Sequence, residues 1–257
     1  MDLEIKSLLY FCFGFTIDDD ADTILKCIVE KAYNDATMQG AFNALLSDKS
    51  MKDMAKDVKA YVIDMLLDKL TDDRIKSADI KNQAGYDTWH KGICKAIMDK
   101  YEKKKIGDDL FSYGNAQKIL NMTMKYLYML YKIEKGGGIT EITPSVLSEM
   151  FEGKKNISKF LHVPIDSYII DAVWKDTKIG LPLKEKTKAN GENKKADREN
   201  KKYKRPSDYV LGWSKWDKDT YTGVQDGLRE HIEKQGICPI EWEEERWIEI
   251  SKDRRAG

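Results

Sequence analysis

Apolar positions recur at helical spacing along three early segments. Over residues 21–36, Ile24, Leu25, Ile28, Val29 and Ala32 mark one face, behind the acidic run Asp18, Asp19, Asp20 that suits an N-terminal cap. Residues 50–70 repeat the pattern through Met54, Val58, Val62, Met65, Leu66 and Leu70. Residues 86–101 repeat it through Trp89, Ile93, Ala96 and Ile97, with Asp87 near the start. Each spacing predicts an amphipathic helix packed by one face. The opening run Leu8, Leu9, Tyr10, Phe11, Cys12, Phe13 fits a short strand or a buried helix equally well.

Residues 118–131 differ, because Ile119, Leu120, Met122, Met124, Tyr126, Leu127, Tyr128, Met129, Leu130 and Tyr131 cover nearly the whole circumference. Such a helix is buried on most sides. Gly136, Gly137 and Gly138 break it, and Pro144 opens a short helix through Val146, Leu147 and Met150. A further helix is expected over 167–174, with Pro164 fixing an extended approach and Asp166 at the N-cap. Pro206 opens an aromatic-rich C-terminal region with Trp213, Trp216, Tyr221, Trp242 and Trp247. Helix–loop alternation without a β period predicts an all-α domain over 1–183 and 206–257. Two lobes around a cleft are expected, divided near the glycine-rich connection.

Composition narrows the function classes. Apolar residues are 41% and charged residues 34% of 257, so a core is available beneath a charged surface. No segment approaches the roughly 20 apolar residues that span a bilayer. The start lacks a basic stretch leading into an apolar run, so a cytoplasmic protein without membrane contact is expected. Cysteines 12, 27, 94 and 238 form no C-x-x-C pair, and His90, His162 and His231 form no H-E-x-x-H. Neither a metal nor another cofactor is expected. Charge sums to zero, yet 184–205 carries ten Lys/Arg against four Asp/Glu, leaving the remainder at −6. That tract, densest at Lys201, Lys202, Lys204 and Arg205, reads as a solvated insertion or as a site that gathers nucleic-acid charge.

Polar residues interrupt the apolar central helix at Lys118, Asn121, Lys125 and Lys132, near one face. Upstream, Phe111, Ser112, Tyr113, Gly114, Asn115, Ala116 read as a tight turn into the helix N-terminus, where free N–H groups can hold a phosphate. Lys118 would then stand in the first turn of a buried helix, a setting for a nucleophilic amine. From spacing alone Asp166 is a helix cap first, and any further role is open.

Gly114-x-x-x-Lys118 opening an apolar helix, followed by Val163, Pro164, Ile165, Asp166 opening another, resembles the helix-hairpin-helix DNA glycosylase superfamily. The run Gln117, Lys118, Ile119, Leu120, Asn121, Met122, Thr123, Met124, Lys125 is most similar to its archaeal 8-oxoguanine glycosylase branch. The likeness covers residues 106–175, with the family's glycine-rich hairpin reduced to Gly114. It implies a two-lobed helical fold, DNA as partner, and base excision by Lys118 with Asp166 stabilising developing positive charge. It also implies DNA contacts from Gly114, Gln117, Asn121 and Lys125. A non-catalytic module binding nucleic acid or protein, as in mobile-element or phage-defence accessories, is the alternative. Its partner surface would be the Trp-rich C-terminal region.

Overall fold

The computed structural model describes residues 2–37, 49–70, 80–103, 111–136, 145–152, 156–184 and 205–256. The expected glycines 137 and 138, Pro144, and residues 185–204 with Lys201, Lys202 and Lys204 lie outside the described residues. Among the described residues the protein is all-α, with one isolated antiparallel bridge between Leu183 and Val210. No helix among them is long and apolar enough to cross a membrane.

The chain divides into two compact units. The first comprises residues 1–111 and 115–161, and the second residues 112–114 and 162–257. The boundary therefore falls at Leu161 and His162 rather than at the glycine-rich connection, because the segment after it, including Ser158–Phe160, packs with the first unit.

In the first unit, α1 spans Asp2–Phe13, α2 Ala21–Thr37, α3 Lys49–Lys69, α4 Gln83–Lys103, α5 Tyr113–Lys135 (in this unit from Asn115 onward) and α6 Ser145–Phe151. The opening run is thus helical, and the possible N-terminal strand is not formed. Gly14 ends α1 with φ of +84° while its N–H returns to the Tyr10 carbonyl at 2.9 Å. The helix buries Leu9 but leaves Leu3, Leu8, Tyr10 and Phe11 exposed. Asp20 caps α2 by accepting the Thr23 N–H at 2.8 Å, and that bond holds its carboxyl below the usual carboxylate range. Asn82 likewise caps α4 through the Gly85 N–H, which places its start upstream of Tyr86. Ile24, Ile28, Val29, Val58, Val62, Leu66, Ile93 and Ile97 supply the core, as their spacing predicts. Ile119, Leu120, Met124 and Leu127 of α5 join them.

In the second unit, α7 spans Ser167–Asp176, α8 Lys218–Glu233 and α9 Pro239–Ala256. Asp217 caps α8 by accepting the Thr220 N–H. Helix α9 packs along α7 and also touches α8. The core here is aromatic: Trp216, Trp242 and Tyr221 are among the largest fully buried side chains of the protein.

Candidate functional site

Helix α5 starts at Tyr113, so Lys118 stands in its second turn rather than its first. Its start is fixed by the 212–216 segment. The Gly114 N–H donates to the Trp216 carbonyl at 3.0 Å, and Ser112 Oγ donates to the Ser214 carbonyl at 2.7 Å. A methyl group on Gly114 would overlap the Trp213 carbonyl oxygen. Close backbone approach is therefore what requires glycine here, and the N–H expected to face a phosphate is bonded to the protein itself.

Lys118 belongs to the first unit and is 5% exposed. Beside it on α5, Gln117 and Asn121 are fully buried. Asn121 Nδ2 donates to Gln117 Oε1 at 2.8 Å, and Asn121 Oδ1 lies 2.8 Å from His90 Nε2 on α4. A carbonyl oxygen only accepts, so His90 Nε2 carries the hydrogen, and Nδ1 faces the Cys94 Sγ at 3.7 Å. The resulting chain runs Cys94, His90, Asn121, Gln117. It explains how polar groups persist inside an apolar helix: each meets a partner instead of water. Gln117 and Asn121, expected to contact DNA, thus have internal bonds. Along the same face the polar stripe emerges gradually, with Lys125 half-buried and Lys132 exposed.

Asp166 belongs to the second unit and caps α7 with extended backbone at φ −141° and ψ −171°. Its Oδ1 accepts the N–H groups of Tyr168 at 2.8 Å and Ile169 at 2.9 Å. Its Oδ2 accepts the indole N–H of Trp247 on α9 at 3.3 Å. Upstream, the Gln225 carboxamide on α8 grips both backbone groups of Val163. Val163 N–H donates to Oε1 at 3.1 Å and Nε2 donates to the Val163 carbonyl at 2.7 Å. One turn earlier on α8, the Tyr221 hydroxyl lies 2.7 Å from His162 Nδ1. The segment 162–166 is therefore held at three points, a fixed mount for a half-buried carboxylate.

The sequence marks Tyr221 and Trp247 only as part of the aromatic C-terminal region and His162 only as one of three scattered histidines, and nothing in it singles out Gln225. Their signal is faint: Tyr221 and Gln225 share a helix face at i, i+4, but their partners lie about sixty positions away. Of the expected DNA-contacting basic residues, Arg205 is exposed, with its N–H on Asp208 Oδ2 at 3.1 Å. The C-terminal tryptophans divide, with Trp216 and Trp242 interior and Trp213 and Trp247 half-buried. Among the described residues no cluster of His, Cys, Asp or Glu could hold a metal ion.

Comparisons with family models, curated proteins and solved structures returned no match.

Proposed function

We propose that this protein is a DNA glycosylase-like enzyme in which Lys118 supplies the nucleophilic amine and Asp166 the stabilising carboxylate. The observation that carries the reading is the mount of Asp166. A carboxylate at a helix N-cap, behind an extended Val-Pro segment clamped by Gln225, is oriented before any substrate arrives. A near-complete burial of Lys118 beside a pre-ordered polar chain supports the same reading.

The chemistry follows from these groups. A target nucleotide is flipped out of the stack. Lys118 Nζ forms a bond to the sugar C1′, the N-glycosidic bond breaks, and the base leaves with the electron pair and takes up a proton. Asp166 stabilises the positive charge developing on the sugar. Loss of a proton from nitrogen and opening of the sugar ring give a Schiff base. Residues 184–205 gather backbone charge, and their affinity contribution falls with salt.

Base release from duplexes carrying an oxidised purine tests this. Wild type releases base, and Lys118→Gln and Asp166→Asn each lower the single-turnover rate at least about a hundredfold, in line with loss of a nucleophile or a charge stabiliser. Asparagine caps helices as well as aspartate does, so the Asp166→Asn unfolding midpoint stays near wild type. Unchanged release by either variant contradicts the assignment.

A second reading, a protein-binding module, is favoured by α1, whose Leu3, Leu8, Tyr10 and Phe11 are exposed. It predicts no base release from any duplex.

A further inference from the structure

The carboxylate of Asp166 has more bonding than a helix cap requires. Capping is complete at Oδ1, which accepts the Tyr168 and Ile169 N–H groups. The Trp247 indole N–H goes to the other oxygen, Oδ2, at 3.3 Å, and arrives from a helix 81 positions along the chain. With both oxygens bonded, rotation of the carboxylate about its Cβ–Cγ bond is restricted.

Trp247 is itself held in place. Its ring lies 4.9 Å from the Tyr168 ring at a 30° tilt. Two turns later on α9, the Arg254 guanidinium sits 3.8 Å from the centroid of the same Tyr168 ring. Arg254 is anchored to α7 by Nη2 to Asp171 Oδ2 at 2.5 Å and to the Ser167 carbonyl at 2.8 Å. Asp171 is buried, and its Oδ1 accepts the Ser207 N–H at 2.7 Å. The pairing of Arg254 with Asp171 thereby fixes the rotation of α9 against α7, and with it the direction of the Trp247 N–H. All of these residues belong to the second unit.

We infer that Trp247 is a positioning residue for the Asp166 carboxylate, fixing the plane in which Oδ2 faces the substrate. This rests on the reading of Asp166 as the charge-stabilising group. No bond is made or broken at Trp247. Its N–H only donates, so it orients an accepting oxygen.

Trp247→Phe keeps the ring against Tyr168 and deletes the donor. The single-turnover rate of base release at saturating duplex falls about tenfold, as expected for one hydrogen bond to a charged group. The duplex KM and the unfolding midpoint stay at wild-type values. A rate equal to wild type overturns the inference. A rise in KM with a matching loss of stability overturns it as well, since both mark a merely structural side chain. If Trp247→Phe does not fold, the wild-type chain decides: its Trp247 indole N–H resonance moves on Asp166→Asn, and an unmoved resonance overturns the inference. A wild type that releases no base removes the functional reading and this inference together. A wild type that releases base beside an unaffected Trp247→Phe removes the inference alone.

Discussion

A methyl group at position 114 has nowhere to go, because the Trp213 carbonyl oxygen occupies the place a Cβ would take. The sequence presents Gly114 as the remnant of a phosphate-binding hairpin, whereas the structure uses it to seat the 212–216 segment on the first turn of α5. Both readings demand glycine, and no local pattern tells them apart, because the partner backbone is about a hundred residues away. They differ in what Gly114→Ala does. The packing role predicts a loss of about 3 kcal/mol in urea unfolding, the upper range for overpacking a filled site. A hairpin that only held phosphate would leave stability nearly intact and weaken DNA binding instead. Lys118 and Asp166 were legible as residues, since an amine inside an apolar helix and an acid after Val-Pro both stand out. The bonds that hold Asp166 and its approach, from Trp247 and Gln225, were not, nor was the bond between His90 and Asn121, because each joins residues far apart in the chain.

At the scale of elements, period and caps were sufficient wherever one face carried the apolar set. Helices α2, α3, α4, α5 and α7 stand close to where spacing places them. Helices α8 and α9 were read only as an aromatic tail. Helix α9 interleaves apolar residues with Glu, Lys and Arg around its circumference, because α7, α8 and solvent meet different sides of it. One joint between elements makes a sharp prediction. Tyr33 of α2 and Tyr101 of α4 share a hydroxyl–hydroxyl bond of 2.5 Å inside the core, and Tyr101 stacks on Phe111 at 3.7 Å. Burial pushes the Tyr33 hydroxyl up from 10.0 to about 12, and pushes Tyr101 up as well, with the neighbouring Tyr33 adding to its shift. The folded state keeps these protons after the unfolded state has lost them. The stabilisation is therefore full below the ordinary tyrosine value and is lost as pH rises from 10.0 through about 12. Unfolding free energy measured by urea titration declines across that window by up to about 1.4 kcal/mol per pH unit for each tyrosine. The double variant Tyr33→Phe, Tyr101→Phe flattens the decline. An unchanged slope would show that other groups set the alkaline limit.

Across the whole molecule the two compact units carry the two proposed groups separately, Lys118 in the first and Asp166 in the second. The division at Leu161 and His162 was not legible because the glycines at 136–138 are the stronger local break, yet contacts decide where a unit ends. Charge is distributed just as unevenly. Outside 184–205 the chain is at −6, so positive charge is concentrated on a short tract of the sequence. A protein of this charge pattern needs chemistry, more than affinity, to identify it. The direct measurement is borohydride reduction of the protein on a duplex bearing an abasic site, followed by mass mapping of the modified peptide. The account predicts a covalent adduct at Lys118, lost in Lys118→Gln. An adduct mapped to another lysine, or undiminished in Lys118→Gln, contradicts it.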